Sequence, residues 1–167
     1  PGEIAELCAA CRDAGVTFVS DEIYHGIEFP AHGAPRAATA LEYTESAIVI
    51  NSFSKYYSMT GWRVGWLVAP PHLRDAINKL NQNLFISAPA ASQLAATAAL
   101  GTEAVDELES HVKRYEQNRN IVIGGLQRMG LTRIAPAHGA FYIYVDLSSL
   151  GVDDSAALCN DLLDRGV

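Results

Sequence analysis

The run SFSKYYSMTGWRVGW, Ser52 to Trp66, holds one lysine, a cluster of hydroxyls, one arginine and two tryptophans. It follows directly on the apolar stretch AIVIN, residues 47–51. Such a stretch reads as a buried strand, and a lysine is costly to bury. Lys55 is therefore expected where the strand leaves its sheet. Arg63 follows eight residues later.

Working outward, VTFVSDE (16–22) is a second apolar run that ends abruptly in two acids, as a buried strand does at the carboxyl edge of a sheet. GWRVGWLVAP (61–70) reads as another strand, closed by Pro70 and Pro71. A helix is expected from about Gly2 to Ala14, stopped by Gly15. Residues 26–45 read as loop, with Pro30, Gly33 and Pro35. Helices are expected over 71–85 and 89–100, the second with Pro89 in its first turn. From Glu103 to Met129 the residues Val105, Leu108, Val112, Tyr115, Val122, Leu126 and Met129 recur at steps of three and four, broken by Arg119. That spacing predicts a long helix packed along one seam, with Gly124 and Gly125 as a place to bend. TRIAP and GAFYIYVDL read as two strands. A last helix is predicted over Ser155 to Arg165, capped by Asp153 or Asp154 and stopped by Gly166. The fold class is α/β: a sheet-and-helix unit, a linking helix, then the start of a smaller α+β domain.

The chain has 167 residues, 49% of them hydrophobic, with a formal net charge of -7. That is a globular composition with room for a real core. An acidic chain with no Lys/Arg block is a poor partner for nucleic acid. No apolar run is long enough for a bilayer, so no membrane association is expected. The first residue is Pro1, which suggests a processed or truncated product. Three cysteines make an odd count. Cys8 and Cys11 share a helix face with Ile4 and Leu7, so the CAAC motif reads as core rather than redox or zinc chemistry, and the expected compartment is reducing and cytoplasmic. The five histidines have no mutual ligand spacing, so no metal is expected. Trp62 and Trp66 read as core or interface.

In an open parallel sheet, ligands sit outside the carboxyl ends of the strands. One strand end offers Asp21 and then Tyr24; its neighbour offers Ser52, Ser54 and Lys55, with Arg63 behind. A carboxylate pairs with a cationic ring nitrogen, and a phenol donates to an oxyanion. Hydroxyls and a guanidinium hold a phosphate, and an amine attacks a carbonyl. Pyridoxal phosphate carries all of those groups.

SFSKYYSMTGWRVGW closely resembles the cofactor-lysine segment of the fold-type I, class I/II aminotransferases. VSDEIYHGIEF (19–29) resembles the segment before it, and SAPAASQLAATAAL and HGAFYIYVDL fall in the family's order. The resemblance implies a three-layer αβα large domain, with residues 1–115 a remnant of it. It makes 116–167 the linking helix and a partial small domain. It implies that Lys55 forms the Schiff base and shuttles the proton, that Asp21 keeps the pyridine nitrogen protonated, and that Tyr24 bonds the phenolic oxygen. Ser52 and Arg63 would hold the phosphate, with Ser54 a further candidate. The activity implied is amino-group transfer between an amino acid and a 2-keto acid, in a homodimer. The chain matches only a C-terminal-half part of the family, so it is expected to be inactive alone.

Other readings stay open at this point. Carbon–sulfur lyases and related lyases of the same fold share these segments. A non-catalytic fragment is another possibility. VTFVSDE also looks like a Walker B strand, but the chain has no glycine-rich G-x-x-x-x-G-K-[ST] loop.

Overall fold

The computed structural model describes residues 2–33 and 36–167; Pro1 and Pro35 lie outside the described residues. Helix α1 (Gly2–Asp13) lies ahead of a three-stranded sheet, β1 (Val19–Asp21), β2 (Ile48–Ser52) and β3 (Gly65–Val68), in that order across the sheet. β1 and β2 run parallel, with Asp21 opposite Ile50. β3 runs antiparallel to β2, pairing Ser52 with Gly65 and Val49 with Val68. The sheet is therefore mixed rather than all parallel. A short path through residues 53–64 returns the chain beside the strand it left, which parallel pairing does not allow without a long crossover.

One face of the sheet is covered by α1, where Cys8 packs with Ala40, Ala47 and Val49, flanked by Ile4 and Phe18. Cys8 is buried as expected, but Cys11 is only partly so and Leu7 is half exposed. The helix turns those two toward the edge of the packed face. On the opposite face Val19, Ile50 and Leu67 each remain at least 40% exposed.

The helices follow the sequence closely: α2 (Arg74–Leu84), α3 (Ala90–Ala99), α4 (Thr102–Arg128) and α5 (Ser155–Asp164). Asp154 caps α5, accepting from the Ala156 and Ala157 N–H groups. That satisfies two donors the helix itself leaves free. α4 is continuous through Gly124 and Gly125, and its apolar stripe is fully buried only in its N-terminal half. Leu108 and Val112 are buried, whereas Val105, Val122 and Met129 are exposed. Arg119, the break in the stripe, donates from Nε to the Ala137 carbonyl at 2.6 Å. A polar residue on an apolar face thus ties the tail to the helix.

The two predicted tail strands are reduced to isolated bridges, Ile134 with Val145 and Glu28 with Gly139. The second bridge shapes the site, because it carries the tail back onto the loop that follows β1. Phe29 N–H donates to His138 O at 2.7 Å and Ala140 N–H to Ile27 O at 2.9 Å. A Cβ on Gly139 would stand 2.5 Å from the Ile27 carbonyl oxygen, so only glycine permits this approach. Gly139→Ala is expected to cost about 2 kcal/mol through forced separation of the two segments. The urea midpoint reads this directly, and a midpoint unchanged from wild type would show that the bridge opens freely.

Candidate active site

Lys55 sits on the turn that follows β2, and that turn is braced from within. Ser52 N–H donates to Asn51 Oδ1, Ser54 N–H to Ser52 Oγ, and Thr60 Oγ1 to Ser54 O. Ser58 N–H donates to Lys55 O, and Met59 N–H to Phe53 O. The flanks are anchored on both sides. Phe53 and Met59 are buried against Ala96 of α3. Tyr56 packs against Ile27, Phe29 and Val112 and donates to Glu109 of α4 at 2.6 Å. Ser58 Oγ lies 3.0 Å from His111 Nδ1. Phe53 and Met59 thus turn toward α3, Tyr56 and Ser58 toward α4, and Lys55 is left half-buried.

Its ammonium lies 5.6 Å from the Tyr24 ring centroid and 5.5 Å from that of Phe141. Both separations suit a cation beside an aromatic face. Asp21 ends β1, accepting from Ile23 N–H at 3.2 Å. Tyr24 follows on the next turn, close enough to Asp21 for the carboxylate to disfavour its phenolate. The Tyr24 phenol is pushed up to about 12, first by its hydrogen bond with Tyr142, then by burial, then by the charges of Tyr142 and Asp21. The structure thus brings Asp21, Tyr24 and Lys55 together at the carboxyl ends of two neighbouring parallel strands.

Ser52 opens the lysine loop at the end of β2, and Arg63 stands near its other end, just ahead of β3. The Ser52 hydroxyl accepts from Ser54 N–H and donates to the Val64 carbonyl at 3.5 Å. Arg63 is exposed, with a left-handed backbone (φ 53°), and its Nη1 donates to Thr60 O at 3.0 Å. Its side chain borders an open cavity of about 480 Å³ shared with Asn81, Phe85 and Ser87. Among the described residues neither Lys55 nor Arg63 is paired with a carboxylate. Non-glycine residues with positive φ are uncommon. Among the described residues four have it: Ser58, Arg63 and Ala140 flank this site, and Ile86 lines the cavity beside Arg63. Such strain concentrates where a fold over-determines the backbone around a ligand.

Three participants escaped the sequence reading. Phe141 and Tyr142 reach Tyr24 from the tail, with ring centroids 5.5 and 5.7 Å away. Glu22 is buried beside Asp21, accepting on Oε1 from Ser20 Oγ, Thr39 Oγ1 and Ala40 N–H. The glycine before Ala140, unusual inside an apparent strand, was the available signal for the tail's close approach.

The sequence model of the family described as aminotransferase class I and II matches residues 1–167, and the chain belongs to that family. The family implies pyridoxal phosphate as cofactor. The chain is similar to the valine–pyruvate aminotransferase of Mycobacterium tuberculosis, 44% identical over 168 residues, covering 100% of this chain and 42% of that protein. It is also similar to the (5-formylfuran-3-yl)methyl phosphate transaminase of Methanocaldococcus jannaschii, 38% identical over 80% of this chain and 35% of that protein. Among solved structures, an aminotransferase from Mycobacterium tuberculosis superposes with a TM-score of 0.92 at 43% identity, covering 98% of this chain and 42% of that one. The aromatic aminotransferase of Pyrococcus horikoshii gives 0.82 at 27% identity, over 90% of this chain and 40% of that one. The chain therefore spans about two fifths of the length of the relatives it matches.

Proposed function

We propose that this chain carries the cofactor-lysine portion of a pyridoxal-phosphate-dependent aminotransferase that moves an amino group between an amino acid and a 2-keto acid. The observation that carries the reading is the Lys55 amine, held on a braced turn beside Tyr24 and next to the Asp21 strand end. The donor set fits the cofactor: a carboxylate, a phenol and an amine, with a hydroxyl and a guanidinium at the two ends of the lysine loop. When bound, pyridoxal phosphate supplies a carbonyl for an amine and a ring that withdraws electrons from the substrate's α-carbon. Asp21 would stand at the ring nitrogen and keep it protonated. Tyr24 would donate its O–H to the phenolic oxygen. Ser52 and Arg63 would grip the phosphate, which requires the Ser52 hydroxyl to turn from Val64. Lys55 Nζ would anchor the cofactor and, once released, carry the proton that leaves the α-carbon.

The same reading makes 1–115 part of a three-layer αβα large domain and 116–167 the link to a smaller α+β domain. The uncovered face of Val19, Ile50 and Leu67 supports a further layer over the sheet. A homodimer is proposed for the whole protein, supported by the apolar end of α2, where Leu84, Phe85 and Ile86 are exposed. The relative named for valine and pyruvate makes that pair the first to assay.

The test is covalent trapping. The chain is mixed with pyridoxal phosphate, reduced with borohydride and mapped by mass spectrometry. The adduct is expected on Lys55 rather than on the other two lysines, Lys79 and Lys113. An adduct spread evenly over the three, or none, would sink the reading.

A further inference from the structure

We propose that Tyr142 is a positioning residue for Tyr24: its hydroxyl fixes the Tyr24 hydroxyl beside Lys55 and becomes the donor to it when Tyr24 turns its own proton to an anionic ligand oxygen. This inference rests on the aminotransferase reading of the site. The two hydroxyls are 2.8 Å apart although 118 residues separate them in sequence. The contact exists only because the Glu28–Gly139 bridge returns the tail to the loop after β1.

A phenol has one O–H to donate and can accept as well. The pair therefore shares one bond and keeps one O–H free. With no anion nearby, Tyr24 can donate to Tyr142. An oxyanion beside Tyr24 reverses the direction, because the free O–H must then be that of Tyr24. Tyr142 donates to Tyr24 in that state, and the accepted bond polarises the O–H that Tyr24 gives away. The heavy atoms need not move. Packing keeps Tyr24 in place for this exchange: Phe141 and Tyr142 both meet its ring edge-on, at interplanar angles of 72° and 76°. The charged groups that face Tyr24 are Asp21 from β1 and Lys55 from the β2 turn. Neither supplies its hydroxyl with a donor in the described structure. Tyr142, 61% exposed, is not needed to fill a core, so the ring of a phenylalanine can replace it without disturbing the fold.

The experiment compares wild type with Tyr142→Phe in two measurements. Ring-labelled tyrosine is followed by carbon NMR in the cofactor-free chain, with the Tyr24 signal assigned through Tyr24→Phe. The Tyr24 midpoint is expected to move in the variant, because the hydroxyl removed is the one 2.8 Å from its own. Pyridoxal phosphate is then titrated into both proteins, and the dissociation constant is expected to rise roughly three- to tenfold, the value of one ordinary hydrogen bond. A residue that merely packs would move neither, because the ring is kept. An unmoved Tyr24 midpoint, or an unmoved affinity where wild type binds through Lys55, overturns the proposal. No adduct on Lys55 in wild type counts against the aminotransferase reading, while the Tyr24 titration still decides whether Tyr142 holds Tyr24.

Discussion

Replacing Lys55 by alanine is expected to abolish the borohydride-trapped adduct and the near-visible absorbance that accompanies it. Replacing it by arginine is expected to do the same. The two variants separate charge from chemistry. Arginine keeps a cation near the rings of Tyr24 and Phe141, where the lysine ammonium now lies at 5.6 and 5.5 Å. It cannot act as the amine, because a guanidinium stays protonated. If Lys55 served only as the cation between two aromatic rings, Lys55→Arg would retain cofactor binding in full. Neither substitution should unfold the chain. The turn is held by Phe53, Met59, Tyr56 and Ser58, and the half-buried Lys55 side chain has no hydrogen-bond partner among the described residues. Circular dichroism and the urea midpoint are expected to stay close to wild type. A visible band and a trapped product that persist in either variant would show that another amine does the work.

What the sequence made legible is what short-range chemistry decides. The Asp154 cap, the stop at Gly15 and the alanine-rich α3 all follow from local preference, and each is found within a residue or two of its expected place. The meeting of Asp21 with the Lys55 turn was legible for a topological reason: two apolar strands that each end in polar residues place those ends together if they run parallel, and β1 and β2 do. Direction is not encoded in an apolar run, however, so the antiparallel β3 was not. Nor was the tail. GAFYIYVDL alternates like a strand, but its first residues pair with Glu28 and its later ones with Ile134, so no single ladder forms. The contacts that place Phe141 and Tyr142 on Tyr24 depend on that split. The long stripe of α4 was read correctly as a helix but over-read as a seam. Periodicity reports which residues could be covered, and only Leu108 and Val112, in its N-terminal half, are buried by this chain.

Glu22 is where the largest loss of stability is expected. Read from sequence it is the second acid of DEIYH and has no assigned task. In the fold it is 4% exposed, and a single oxygen, Oε1, accepts three hydrogen bonds. Ser20 Oγ reaches it at 3.0 Å, Thr39 Oγ1 at 3.0 Å and the buried Ala40 N–H at 2.8 Å. Its second oxygen lies 3.4 Å from His25 Nδ1. Thr39 also caps the short 3₁₀ turn Ala40–Glu42, so one carboxylate joins the end of β1 to the loop that crosses in front of it. Glu22→Ala removes the acceptor of all three and leaves the buried Ala40 N–H without a partner. Leaving a buried donor unpaired costs more than the bond itself contributes, and with the two part-buried bonds also lost the expected loss is about 2–4 kcal/mol. Against a total of roughly 5–15 kcal/mol for an ordinary domain, that is a large share. Glu22→Gln gives the control, because the amide oxygen can take the place of Oε1 and accept the same three bonds. Its cost is expected to stay under about 1.5 kcal/mol, the value of a single ordinary hydrogen bond. Urea unfolding of the three proteins reads both numbers. Equal losses in the two variants would mean that charge, not the convergence of donors on one oxygen, is what Glu22 contributes. Because Asp21 is the adjoining residue, the alanine variant should also loosen cofactor binding, and the glutamine variant should not.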